Sequence, residues 1–163
     1  MKTYTIIAGV SGTGKSSFAG ALRPAPSDVN AEESFEKNIS FIQETTLAES
    51  ATEYIAAKAK ELGYYIKIYY IGLNSLDECL ARIKNRIRKG GHDVPEADVR
   101  REFAFRWDAV KKILPYCDEM HFFDNDNGFV EVAEYRNGEV VSIGELRPDW
   151  LKELQGFLRS EKI

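Results

Sequence analysis

Residues 3–22 read Thr3-Tyr4-Thr5-Ile6-Ile7-Ala8-Gly9-Val10-Ser11-Gly12-Thr13-Gly14-Lys15-Ser16-Ser17-Phe18-Ala19-Gly20-Ala21-Leu22. Within them, residues 9–16 satisfy G-x-x-x-x-G-K-[ST] at every fixed position. The run 3–8 is short, apolar and β-prone, and 17–22 has the residue types of a helix, so the pattern sits between a strand and a helix. That context gives the motif a mechanism. Glycine admits backbone angles that other residues resist, which lets the loop's N–H groups converge on phosphate oxygens. The helix behind it adds the partial positive charge of its N-terminus. Lys15 would reach the β- and γ-phosphates and the Ser16 hydroxyl would ligate Mg²⁺, with Gly9, Ser11, Gly12, Thr13, Gly14 and Ser17 completing the cradle. The expected ligand is a nucleoside triphosphate. The competing explanation, a glycine-rich turn with an incidental lysine, does not account for the flanking elements.

Working outward, Pro24 and Pro26 end the first helix and force extended backbone. Val29-Asn30 is read as a very short strand and Ile39–Gln43 as a core strand. Apolar residues at 47, 51, 55 and 62 place a helix over 46–62, stopped by Gly63. Tyr64–Ile71 is a buried strand, and 76–88 is a helix with a basic C-terminal half. Gly90-Gly91 breaks it, and Pro95 opens one helix over 95–114 with Val99, Phe103, Trp107, Val110 and Leu114 on its apolar face. A strand at 119–124 follows. Asn137-Gly138 then joins two strands as a hairpin, and an amphipathic helix beginning near Pro148 buries Trp150, Leu151, Leu154 and Leu158.

Strands alternating with helices imply an α/β fold of the P-loop NTPase kind: three α/β/α layers on a mainly parallel sheet, ligands at the strands' carboxyl ends, and a C-terminal hairpin as an antiparallel edge. At 163 residues the chain is read as a single domain, 1–163, with residues 89–106 as an arginine-bearing helical lid.

Composition narrows the function classes. Hydrophobic residues make up 44% and charged residues 29%, as in an ordinary soluble domain. No apolar run approaches a membrane span, and the N-terminus has no signal-peptide core. Cys79 and Cys117 lack metal-ligand spacing and read as reduced packing thiols, so a cytoplasmic location is expected. The net charge of −4 argues against nucleic acid or an anionic membrane as partner. Residues 82–106, however, carry a net +4, which leaves −8 for the rest. A basic segment in an acidic protein suggests a phosphate-facing site.

Phosphoryl transfer needs an in-line acceptor, a group to take its proton, and cations around the moving phosphoryl. Glu44, beside Thr45-Thr46 at a strand end, is placed to hold an acceptor, or else to partner a helix start. Asp28 and Glu32 are both candidate bases. Arg82 and Arg86 share a helical face, and Arg106 borders an apolar stripe, where an inward guanidinium needs an anion. The glycine pair gives the segment a hinge. His92 and His121 read as structural anchors, and Asp124–Asn127 as a turn.

The P-loop, FIQETTLAES (41–50), GYYIKIYYIGLNSLDECLARI (63–83), GGHDVPEADVRREF (90–103) and FFDND (122–126) together resemble the zeta-toxin family of P-loop kinases, in particular its small ATPase-like branch. The resemblance spans most of the chain, and the GGHDVPEADVRR segment is its specific part. It implies an ATP- and Mg²⁺-dependent kinase that phosphorylates a small molecule, with UDP-N-acetylglucosamine the acceptor of well-known members. Position by position it implies ATP and Mg²⁺ binding by Lys15 and Ser16, acceptor binding by Glu44 and Thr45, and phosphate binding by Arg86, Arg100 and Arg106. The family's Asn-Ala-Asp base segment reads Asn30-Ala31-Glu32 here, and the stretch after it is shortened. The family's antitoxin partner has no signature of its own in this sequence. A nucleoside or nucleotide kinase, or a nucleotide-binding regulatory module, remains an alternative.

Overall fold

The computed structural model describes residues 2–22, 30–91 and 93–160. Six strands form one sheet in the order β2-β1-β3-β4-β5-β6: β1 (Thr3–Ala8), β2 (Phe41–Thr45), β3 (Tyr65–Gly72), β4 (Glu119–Asp124), β5 (Val130–Arg136) and β6 (Glu139–Ser142). The first four are mutually parallel, and β5 and β6 run antiparallel to their neighbours. The expected edge hairpin is present, with Asn137 and Gly138 at φ 52° and 82°, the left-handed pair that a two-residue turn requires.

Seven helices are described: α1 (Lys15–Leu22), α2 (Ala31–Lys37), α3 (Ser50–Glu61), α4 (Leu76–Arg88), α5 (Glu96–Ala104), α6 (Arg106–Ile113) and α7 (Asp149–Ser160). One face of the sheet packs Tyr4, Ile6, Ile66, Ile68, Met120 and Phe122 against α3, α6 and α7. The other face packs Ile7 and Ile71 against Phe18 and Ala19 of α1. Alternation along each strand divides its side chains between these two layers. A third cluster joins α4 and α5 to the P-loop through Val10, Leu73, Cys79, Ile83 and Val99.

Three expectations are corrected here. The segment read as opening with a short strand at Val29-Asn30 instead enters α2: Asn30 is its N-cap, and its side-chain oxygen accepts the Glu33 N–H at 2.8 Å. Val29 lies outside the described residues. The single helix expected over 95–114 is two helices that break at Phe105, followed by a 3₁₀ turn at Leu114–Tyr116. Its apolar stripe serves two cores: Val99 and Phe103 pack with the P-loop cluster, and Trp107 and Val110 with the main one. The third correction shifts the strand read at 39–43 to Phe41–Thr45, so Glu44 lies within β2, paired with Ile7 of β1.

The glycine pair is a helix stop. Gly90 N–H bonds the Ile87 carbonyl and Gly91 N–H the Arg86 carbonyl, with Gly90 at φ 86°. This is the two-bond left-handed cap that ends a helix and satisfies its last carbonyls.

Candidate nucleotide-binding and phosphotransfer site

The P-loop joins the carboxyl end of β1 to the N-terminus of α1, in the middle of the parallel strands, where open α/β sheets bind ligands. Its glycines are held by close approach as well as by backbone angle. A Cβ on Gly12 (φ 91°) would lie 2.5 Å from the Cys79 carbonyl oxygen, and one on Gly14 (φ 104°) would lie 2.5 Å from Asn125 Nδ2. Thr13 is buried and its hydroxyl donates to the Val10 carbonyl at 2.9 Å.

A cleft of about 820 Å³ opens over this loop. The P-loop side contributes Ser11, Gly12, Gly14, Lys15, Ser16 and Ser17; the β2 end contributes Glu44, Thr45 and Thr46. The facing wall is α4, which presents Arg82, Asn85 and Arg86, with Lys89 at its C-cap. Those positions are three and four apart, one stripe of a helix. The basic face of α4 is therefore turned onto the P-loop.

Lys15 Nζ donates to the Gly9 carbonyl at 2.9 Å and the Val10 carbonyl at 3.2 Å. Burial lowers its pKa from 10.5 to about 8, against the opposing pull of the Glu102 and Glu44 carboxylates. Ser16 Oγ donates to Glu44 Oε1 at 2.8 Å. The Thr45 hydroxyl pairs with Thr52 Oγ1 at 3.1 Å and accepts the Leu47 N–H at 3.0 Å.

Not every candidate reaches the cleft. Glu32 is exposed in the first turn of α2 and does not line it. Asp28, the other candidate base, and His92 lie outside the described residues. Arg100 is tied to Glu96 on its own helix, Nη2 to Oε2 at 3.0 Å. Arg106 points inward as expected, but its anion is Glu153 of α7, at 2.7 Å. It also donates to the Phe103 carbonyl at 2.7 Å and lies over the Phe103 and Trp107 rings. Burial lowers its pKa, and Glu153 opposes the shift.

Two residues to which the sequence analysis gave no role contact the loop. Asn125, in the turn after β4, donates to the Thr13 carbonyl at 2.8 Å. Glu102, on α5, accepts the Ser11 N–H at 3.0 Å. Behind Asn125, buried Asp124 accepts the Trp150 indole N–H at 2.7 Å and the Asp126 N–H at 3.1 Å. His121 lies between two carboxylates, Glu119 at 2.6 Å and Glu131 at 3.2 Å, and stacks on Tyr69, which agrees with a structural role.

A parallel sheet of this order with a glycine loop entering a helix at its middle defines an α/β P-loop NTPase fold. Two solved structures share it. A crystal structure of AvrRxo1-ORF1:-ORF2 with ATP superposes with a TM-score of 0.64 at 16% identity, over 95% of this chain and 63% of that one. A structure from the PezAT chromosomal toxin–antitoxin system of Streptococcus pneumoniae gives 0.59 at 12% identity, over 99% and 86%. An uncharacterised Haemophilus influenzae protein is 39% identical over 64 residues, which are 39% of this chain and 46% of that protein. The chain thus spans about half the length of that relative. No family model matches the sequence. Among the described residues no helix is long and apolar enough to cross a membrane.

Proposed function

We propose that this protein is an ATP- and Mg²⁺-dependent phosphotransferase of zeta-toxin type that moves the γ-phosphoryl group of ATP to a hydroxyl of a small molecule. The observation that carries this reading is the single cleft in which the P-loop, Glu44 and the basic face of α4 meet. A simple nucleotide-binding turn needs no second wall of cations. The ATP in the AvrRxo1 complex and the kinase resemblance of residues 90–103 support the same choice of nucleotide.

In this reading the loop's N–H groups and Lys15 hold the phosphates, and Arg86, with Arg82 beside it, offsets charge on the moving phosphoryl group. Arg100 and Arg106 would join them from the lid. The hydroxyl of Ser16 and the carboxylate of Glu44, 2.8 Å apart at the loop–helix junction, are the hard oxygen donors that suit Mg²⁺. Bound there, the ion would neutralise phosphate charge. Glu44 and Thr45 face the part of the cleft left for the acceptor, for which a UDP-amino sugar such as UDP-N-acetylglucosamine is the first choice. Glu32 or Asp28 takes the acceptor's proton.

The test incubates the purified protein with γ-labelled ATP, Mg²⁺ and either UDP-N-acetylglucosamine or a fractionated metabolite extract. Label should move to an acceptor, and Lys15→Ala should abolish the transfer. Tight ATP binding with no acceptor-dependent consumption of ATP would refute the phosphotransferase and leave a nucleotide-binding regulatory module.

A further inference from the structure

The N–H groups of a P-loop are arranged to receive anionic oxygen. One of them already has it. The Ser11 N–H donates to Glu102 Oε1 at 3.0 Å, a contact spanning 91 positions of sequence. Glu102 is also the carboxylate that acts most strongly on Lys15. A negative charge brought by α5 therefore lies against a backbone N–H of the phosphate-binding loop.

Nothing about helix packing demands this contact. α5 is already anchored by Val99, fully buried with Val10 and Cys79, and by Phe103 beside them. A glutamate added to that apolar anchor contributes charge at the loop. The neighbouring arginines are paired within the helix: Arg100 with Glu96 and Arg101 with Asp98, at 3.0 and 2.8 Å, and neither lines the cleft.

We propose that Glu102 is a built-in competitor of the nucleotide, a carboxylate that takes the place of a phosphate oxygen on the P-loop until ATP displaces it. The inference rests on the cleft being a nucleotide site. A polyphosphate brings several negative charges to a loop whose Ser11 N–H already meets a carboxylate, and like charges at close range repel. Seating the nucleotide therefore expels Glu102.

The experiment titrates a non-hydrolysable ATP analogue with Mg²⁺ into the wild type, Glu102→Gln and Glu102→Ala by calorimetry, with the melting temperature of each unliganded protein recorded. Glutamine keeps the size and the accepting oxygen and removes the charge, so Glu102→Gln should bind the analogue about tenfold more tightly. Equal or weaker binding in Glu102→Gln would overturn the proposal and make Glu102 a support for the loop. Should Glu102→Ala fail to fold, Glu102→Gln decides alone. If neither wild type nor Glu102→Gln binds the analogue, the nucleotide reading falls and this inference with it. If the wild type binds normally and Glu102→Gln is unchanged, only this inference falls.

Discussion

Lys15 is costly to keep. Its ammonium is buried, which lowers its pKa from 10.5 to about 8 and withholds ~3 kcal/mol of folding free energy while the group stays protonated. Replacing the amine also gives up its hydrogen bonds to the Gly9 and Val10 carbonyls, which offsets about 1–2 kcal/mol of the gain. Lys15→Met, which keeps the apolar stem, should therefore stabilise the unliganded protein at pH 7 by about 1–2 kcal/mol, or roughly 2–8 °C in a domain of this length. The sign of the pH dependence follows from the lowered pKa. Between pH 8 and 10.5 the unfolded lysine binds more protons than the folded one, so the wild type gains stability with rising pH over that window. The advantage of the variant is then full at pH 7 and shrinks towards pH 10. Urea denaturation of both proteins at pH 7, 8, 9 and 10 measures the difference directly. A variant less stable than wild type at pH 7, or a gap that does not close with pH, would refute the reasoning. Phosphoryl transfer by the same variant should fall by about 10³-fold or more, which separates the lysine's service to the reaction from its cost to the fold.

The same lowered pKa predicts that affinity for a Mg²⁺–ATP analogue is flat from pH 6.5 to 7.5 and then falls up to about tenfold per unit above pH 8, as the ammonium that meets the phosphates is lost; calorimetry in several buffers reads it. Trp150→Phe removes the indole donor from buried Asp124 and should cost about 3–4 kcal/mol by chemical denaturation, whereas a loss under 1 kcal/mol would show that the pair is dispensable. Glu32→Gln should slow acceptor phosphorylation about 10²–10⁴-fold at nearly unchanged ATP affinity if Glu32 is the base; Asp28→Asn is the matched comparison, and an effect on Asp28→Asn alone moves the role to that residue. Exchange of the 86–106 amides should slow when analogue and Mg²⁺ are added, and unchanged exchange at saturation would exclude a closing lid.

How far the sequence carried the reading depended on distance along the chain. The P-loop was legible because its information is local: a strand, glycines and a helix in one stretch of twenty residues. The basic face of α4 was half legible, since Arg82 and Arg86 show the spacing, while the inclusion of Asn85 and Lys89 needs the helix's actual orientation over the loop. α2 was legible and missed: Asn30 with Glu33 three positions later is a helix-start signal, obscured by the β-branched Val29 before it. The break at Phe105 left no breaker residue to read; it arises because two separate clusters claim the two halves of one apolar stripe. Asn125 and Glu102 reach the P-loop across 112 and 91 positions, and no periodicity encodes a contact of that length. Arg106 was placed correctly as inward, but its partner sits on α7, a helix the stripe argument does not involve.

The chain of contacts from Trp150 through Asp124 and Asn125 to Thr13 sets an order of events during synthesis. The indole that satisfies Asp124 is made well over a hundred residues after the P-loop. At ordinary rates of elongation that is a delay of roughly 10–30 s. Until α7 docks, Asp124 lacks the indole N–H that it accepts, and the turn bearing Asn125 is held by the bond of its own N–H to the Gly72 carbonyl and by Arg82 on the Asp126 carbonyl. The nascent chain thus carries its signature motif well before it gains the full set of contacts behind Asn125, so a nucleotide would meet the completed loop only once α7 is in place.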